Sequence, residues 1–530
     1  MTDVLLPLLV AVPILAAVLP LAVGLRFENV GWPVAAATTL GVLAVAVGAA
    51  REVFTDGPLY HELGGFPRPV GIELVGDELS TLVVLLIAVV SFAVVLYART
   101  AGPRGNAFYS GYLLLVGGLM GVSLTGDLFN MFVFLEIVGL TTYALVAADR
   151  SGEAAYAALK YLFIGTVGAS LYLIGVGYAF LATGTLNMID LQTALADAGY
   201  THTLVRAAFG FIVAGFAIKI ALFPVHTWQP DAYQRAPDSV SALISALVST
   251  VAAYALIRVV YTVFTVDFLA ANPVITDGVL FLATVSILAG SVLAVAQSEI
   301  KRMLAYSSVA QFGMIAAAVL IANDTALTGA IIHLVGHGLM KGALFMGAGV
   351  LAAAYGVRTL REYAGLSARA PYTSGAISVL GLALVGIPPS IGFLGKWYIA
   401  LGAIEGGHWL VAGVVFLSTL LTLMYVARLL EKFYFTPAGV EHLGGVDPIG
   451  SRKPATDGGS HAEGDGPDPD PDGEHGEHVP PAVPVPVSRR SGVSGVMVVL
   501  VVLAAIAVVA LGFGGSVFES LIDPFVGRVL

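Results

Sequence analysis

The chain has 530 residues, 58% of them hydrophobic and only 11% charged, with no cysteine and a formal net charge of −10; its mean hydropathy is +0.90. A soluble globule carries charge on about a quarter of its residues, so this composition excludes one and marks a polytopic membrane protein. The missing cysteines exclude thiolate-held iron–sulfur clusters and disulfides, and no glycine-rich fingerprint sits between a strand and a helix to hold a dinucleotide. Neither a cofactor nor a metal is expected, and the chain has no evident redox chemistry of its own.

A bilayer-spanning helix needs about 20 apolar residues. Fourteen such stretches follow one another, centred near 14, 40, 87, 117, 138, 169, 213, 250, 286, 312, 339, 387, 420 and 503, which predicts an all-α fold of about 14 transmembrane helices. The first carries Asp3 ahead of it and no basic residue, the wrong flank for a cleaved secretory signal, and is expected to stay as a helix. Lys and Arg outside the spans divide fifteen to four between the loops after odd-numbered and even-numbered stretches. The positive-inside rule then puts the protein in the cell membrane with both termini outside the cytoplasm.

Lone charges stand inside several spans: Glu136 in MFVFLEIVGL, Lys219 in FAIKIALFP, Lys341 in HGLMKGALF and Lys396 in GFLGKWYIA. A charge at mid-bilayer costs about 2.5 to 3.5 kcal/mol even on the lenient insertion scale, so it is kept where it faces a partner or a wet cavity. Lys160, Arg258 and Arg428 lie nearer span ends, where a long basic side chain is expected to snorkel. Asp127 and Asp149 read as interfacial, and Asp231 stays open.

Two spans are interrupted by proline at mid-depth, the seventh at Leu222-Phe223-Pro224 just after Lys219 and the twelfth at Gly386-Ile387-Pro388-Pro389 just before Lys396. Proline removes an internal hydrogen bond, and such backbone survives in a membrane only where protein or a water-filled cavity satisfies it. Paired breaks point to a transporter's ion path. If the fourth to eighth and the ninth to thirteenth spans form two units, each break falls in the fourth of five helices, and an odd helix count inverts one unit relative to the other.

The expected organisation is therefore an N-terminal three-helix segment (1–100), two inverted five-helix repeats (101–263 and 264–435), an acidic cytoplasmic loop (436–492) and a last helix (493–530). That loop holds ten acidic against four basic residues and reads as a disordered linker. His461, His475 and His478 belong to the same solvated linker rather than to a metal site.

A carboxylate and an amine that meet in low dielectric hold each other charged, and separating them lets the amine shed its proton. Glu136 and Lys219 are thus a proton switch or a static ion pair. In the eleventh span His333, His337 and Lys341 recur at every fourth residue, which covers about 80° of one face and roughly 12 Å of axis. They read as consecutive stops for a proton, against packed histidines bonded to backbone carbonyls; a zinc pair lacks an adjacent carboxylate ligand.

The strings GDLFNMFVFLEIVGLTTYALV (126–146), AIKIALFPVHTWQPDAY (217–233), APDSVSALISALVSTVAAYALIR (236–258), EIKRMLAYSSVAQFG (299–313), HLVGHGLMKGALF (333–345) and GIPPSIGFLGKW (386–397) cover the core from the fourth to the thirteenth span. With them the chain resembles the antiporter-like proton-translocating subunits shared by respiratory complex I, membrane-bound hydrogenases and multisubunit Mrp cation/proton antiporters. DLFNMFVF, HTWQPDAY and the lysine of GFLGKW look most like the D-subunit group of the Mrp antiporters.

The resemblance implies that Glu136 and Lys219 are the essential charge pair, that His333, His337 and Lys341 belong to a central hydrophilic axis, and that Lys396 ends it. Many relatives carry a lysine where Thr250 stands. Ser249 and Thr250 can hold water there but carry no positive charge.

The implied function is that of a proton-translocating subunit of a Na+/H+ antiporter. It would hop charge along Glu136, Lys219, the Ser249–Thr250 site, His333, His337, Lys341 and Lys396, and its partners would be other membrane subunits, H+ and Na+, with no nucleic acid. It is a transporter subunit rather than an enzyme. The alternatives are the pumping subunit of a complex I-like NADH:quinone oxidoreductase or membrane-bound hydrogenase, and a transport-inactive scaffold.

Overall fold

A computed structural model describes residues 4–437 and 493–530; most of the expected acidic loop at 436–492, with its three histidines, lies outside the described residues. Among the described residues, twelve helices are long and apolar enough to cross a bilayer: α1 (Leu5–Gly24), α2 (Gly31–Asp56), α3 (Glu78–Ala101), α4 (Asn106–Leu124), α5 (Leu128–Asp149), α6 (Gly152–Thr183), α8 (Asp238–Ala271), α9 (Pro273–Val295), α10 (Ile300–Ile321), α11 (Asp324–Tyr355), α13 (Trp409–Phe435) and α14 (Gly495–Phe513). The other two expected spans are the broken ones. They run as α7a (Thr203–Lys219) with α7b (Trp228–Arg235), and as α12a (Pro371–Val385) with α12b (Ile391–Glu405). The described chain is thus an all-α polytopic membrane protein, and α8 is broken at Thr265, where φ is 67°.

Local sequence explains where these helices start and stop. Asp77 and Ser80 form a reciprocal capping box at the head of α3, Ser151 caps α6 and Asn323 caps α11, each satisfying amides that have no partner inside the helix. In the α12 break Gly386 adopts a left-handed conformation, Pro388 and Pro389 offer no amide hydrogen, and Ser390 accepts from the Phe393 amide to start α12b. In the α7 break the Phe223 amide donates to Ser286 Oγ of α9 at 3.0 Å, and Trp228 Nε1 donates to the Ile218 carbonyl at 3.0 Å. Protein side chains thus satisfy backbone that lipid could not.

The two five-helix units match in length at their third helices: α6 and α11 each have 32 residues. Burial is graded across the bundle. α8, α10 and α11 are enclosed almost entirely, whereas α1, α2, α6, α13 and α14 turn much of their surface outward, with Leu15, Phe163, Leu181 and Leu420 exposed. A helix that is apolar all round and carries polar groups inward belongs to such an enclosed core.

Among the elements outside the spans are a strand pair and the last helix. Strands β1 (Leu59–Glu62) and β2 (Glu73–Gly76) pair antiparallel, with Glu62 opposite Glu73. The C-terminal helix α15 (Gly515–Val529) is amphipathic and reaches from α12b, where Glu519 bonds Tyr398, to the head of α3, where Arg528 pairs with Glu78.

Candidate functional site

Glu136 lies mid-way along α5 and Lys219 is the last residue of α7a, and the structure brings them together with Lys219 Nζ 3.6 Å from Glu136 Oε1. That distance is an ion pair without a hydrogen bond, and Glu136 Oε1 has no hydrogen-bond partner among the described residues. The Tyr143 hydroxyl, also without a partner among the described residues, lies beside Gly139 with the amine: a side chain there would stand 3.0 Å from that hydroxyl and 3.4 Å from Lys219 Nζ.

From Lys219 the polar groups continue into the second half of the broken helix. Ser249 Oγ of α8 lies 3.4 Å from the Lys219 carbonyl and 3.2 Å from both Gln229 Nε2 and Tyr233 Oη of α7b. Thr250, the next residue, is fully enclosed and its hydroxyl has no partner among the described residues. Just before this pair α8 makes a π-helical turn over Ile244–Val248, the kind of widened turn that concentrates at functional sites.

That turn packs on α11 at two glycines. A side chain at Gly338 would stand 2.9 Å from the Ala246 carbonyl, and one at Gly342 would stand 3.1 Å from Ala246 Cβ, so only glycine lets the two backbones approach here. The same turn of α11 carries His337 and Lys341, both fully buried with His333. Lys341 Nζ donates to the Leu304 carbonyl at 2.7 Å and to Ser307 of α10. His333 Nε2 shares a 2.7 Å hydrogen bond with Gln311 Oε1. His337 packs edge-on against Phe312, and neither of its ring nitrogens has a partner among the described residues.

α12b lies against the start of α11, with Gly395 so close that a side chain there would come within 2.6 Å of His333 Cβ. Lys396, the next residue, turns back across the break and donates to the carbonyls of Leu384 and Val385 at 2.8 and 3.0 Å. These are end-of-helix carbonyls of α12a, the groups that a terminus leaves unsatisfied and where positive charge is favoured. α8 meets α11 through Ala246, near His337 and Lys341, and α12b meets it through Gly395, beside His333, with α12b antiparallel to the N-terminal part of α11.

Two expectations of snorkelling are corrected. Arg258 does not reach outward: it is buried and makes two 2.6 Å hydrogen bonds to Asp77. Lys160 bonds Asp231 Oδ2 at 2.6 Å, and Arg302 of α10 bonds Asp231 Oδ1 at 2.7 Å. A near-end position satisfied the snorkelling rule in both cases, but a carboxylate distant in sequence lies closer than the surface. Arg428 hydrogen-bonds the Val295 carbonyl at the end of α9. Asp127 accepts from the Asn130 amide at the head of α5, as an interfacial cap does.

Asp231 therefore joins α6, in one unit, to α10 in the other through α7b. Sequence reading also passed over Ser307 and Gln311, although their four-residue spacing on α10 is a polar stripe of the same kind as that on α11. Tyr425 of α13, whose hydroxyl sits beside Ser307 and Thr422, showed no signal because a tyrosine in an apolar span looks like packing. On the arginine-rich face a cavity of about 430 Å³, lined by Glu153, Arg235, Asp238, Glu299 and Arg358, opens between the ends of α7b and α8. Burial pushes the Glu299 carboxyl there above its usual range.

Residues 125–422, more than half of the chain, match the family described as NADH:quinone oxidoreductase/Mrp antiporter, TM. The chain is 43% identical over 440 residues to NADH-quinone oxidoreductase subunit N of Desulforudis audaxviator (strain MP104C), covering 81% of this chain and 85% of that protein. It is 33% identical over 429 residues to the Na(+)/H(+) antiporter D-subunit of Bacillus subtilis (strain 168), covering 80% and 85%. Its fold is similar to that of a chain in the Mrp complex from Dietzia sp. DQ12-45-1b, with a TM-score of 0.83 and 28% identity over 100% of this chain and 97% of that one.

Proposed function

Because the chain belongs to the NADH:quinone oxidoreductase/Mrp antiporter transmembrane family, we propose that it is a proton-translocating membrane subunit of a multisubunit Na+/H+ antiporter. The observation that carries this reading is the file of exchangeable groups from the Glu136–Lys219 pair, past Ser249 and Thr250, to His333, His337, Lys341 and Lys396, buried from Lys219 onward. Its two halves are the five-helix units, 101–263 and 264–435. The surrounding subunits supply the rest of the exchanger, and both termini face away from the cytoplasm.

In the first unit a proton arriving at Glu136 neutralises the carboxylate and frees Lys219 to give up its own proton toward Ser249. Thr250 replaces a fixed charge by a hydroxyl that holds water, so the middle hop is to solvent and not to a lysine. The second unit then passes the proton between the Lys341 amine, the two imidazoles and Lys396. Each charge moved across 100 mV is worth about 2.3 kcal/mol, so this transfer must be coupled to cation movement the other way.

The test is sodium-dependent pH quenching in vesicles from antiporter-deficient cells, with the surrounding gene set expressed with and without this gene. Exchange that needs the gene supports the assignment; exchange that survives its deletion overturns it. The identity to an NADH-quinone oxidoreductase subunit N supports a second reading in which the same file is driven by a redox complex. Quinone-dependent, sodium-independent proton movement would favour it.

A further inference from the structure

On the face that carries β1, β2 and α15, a cavity of about 250 Å³ opens at the far end of α8. Tyr254 and Arg258, one and two turns beyond Thr250, line it together with Glu73, Asp77, Tyr60 and Arg528. Tyr254 Oη donates to the Ser123 carbonyl at 2.6 Å and accepts from the Arg258 guanidinium at 3.2 to 3.3 Å. It is thus a buried hydroxyl-bearing side chain that lines the cavity one turn along α8 from Thr250.

The charges around the cavity are unequally matched. Arg258 takes both oxygens of Asp77, and Arg528 takes Glu78. Glu73 is left over: it is 8% exposed, and its Oε2 is buried without a hydrogen-bond partner among the described residues. Glu62 lies directly across the strand pair, Asn187 and Asp190 flank it, and the Arg68 charge faces it from the hairpin loop. A buried carboxylate with like charges beside it is costly unless it is paired or takes up a proton.

We propose that this cavity is a second mouth of the buried file, reached from Thr250 by way of Tyr254, and that Glu73 is the carboxylate that takes up and releases protons there. The proposal rests on the translocation reading above. Cavity water that takes up a proton leaving the file becomes hydronium, gives that proton to the Glu73 carboxylate and reverts to water; Glu73 becomes the neutral acid and later returns the proton to solvent on that face. Burial, the larger influence, pushes the Glu73 carboxyl above its usual range while Arg68 pulls it down, so the neutral acid is within easier reach than for an exposed glutamate. Arg258 cannot relay, since a guanidinium keeps its proton; its part is to hold Asp77 and Tyr254 in place.

The experiment uses the assembled complex in vesicles. Glu73→Gln is expected to slow proton translocation about tenfold, the equivalent of one decade in rate, and to flatten the acid side of the pH–rate profile, with Glu73→Asp restoring part of both. The chain has no cysteine, so Gln192→Cys on the cavity rim gives a single thiol. A membrane-impermeant maleimide applied from the hairpin face is expected to block translocation in that variant and leave the parent chain untouched. A wild-type rate and profile in Glu73→Gln, or a labelled Gln192→Cys that still translocates, overturns the proposal. If Glu73→Gln fails to assemble, the thiol block decides alone. Glu136→Gln is measured alongside: its inactivity with a normal Glu73→Gln sinks only the second mouth, whereas its full activity sinks the translocation reading itself.

Discussion

Two ion pairs in this protein, one buried and one partly exposed, are built differently, and the difference is the one we propose between scaffold and switch. Arg258 and Asp77 meet in a two-pronged contact at 2.6 Å, both side chains 7% exposed. Lys219 and Glu136 meet at a single 3.6 Å contact, with side chains 10% and 28% exposed. A fork-to-fork guanidinium pair has geometry and a permanent charge, so it locks. A lysine amine held loosely by one carboxylate oxygen has little to lose by separating, and it can change its protonation when it does.

The sharpest way to break this comparison is Asp77→Asn, which strands a buried guanidinium. It is expected to cost about 3 to 5 kcal/mol, read as a large drop in thermal unfolding temperature in detergent. Removing both partners as Asp77→Leu with Arg258→Leu should recover much of that loss. If Asp77→Asn is as stable as the parent, the pair is no lock.

Next in size comes Glu136→Gln. Translocation in vesicles is expected to fall about tenfold to a hundredfold, or ~1.4 to 2.8 kcal/mol in barrier, while the melting temperature stays close to that of the parent. A change confined to stability would put this pair in the same class as Arg258–Asp77.

Lys396→Met leaves the Leu384 and Val385 carbonyls without their donor and should cost about 1 to 2 kcal/mol for the lost hydrogen bonds, together with slower translocation. Unchanged melting would mean that another group caps the α12 break. The smallest expected effect is that of Thr250→Val, which removes an unpartnered hydroxyl without changing volume. Stability should move by less than about 0.5 kcal/mol, and translocation should slow several-fold if that hydroxyl anchors the middle water. A rate equal to that of the parent would remove Thr250 from the route.

Much of the site was legible beforehand because the membrane makes charge conspicuous: Glu136, Lys219, Lys341 and Lys396 stood out against apolar runs. The partners of Lys160 and Arg258 were not legible. Asp231 lies 71 residues from Lys160 and Asp77 lies 181 from Arg258, and nothing in local spacing links such positions. Gln311, Ser307 and Tyr425 were hidden for a related reason: neutral polar groups cost little enough in a span that they do not advertise a role.

Span number, the two proline breaks in α7 and α12, and the lone charges follow from composition and local order, since hydropathy and a missing amide hydrogen act wherever the residue sits. Which carboxylate holds which base and which carbonyls receive Lys396 depend on how helices cross. Those contacts join residues far apart along the chain, and close approach at glycines such as Gly338 and Gly395 sets them only once the bundle has packed.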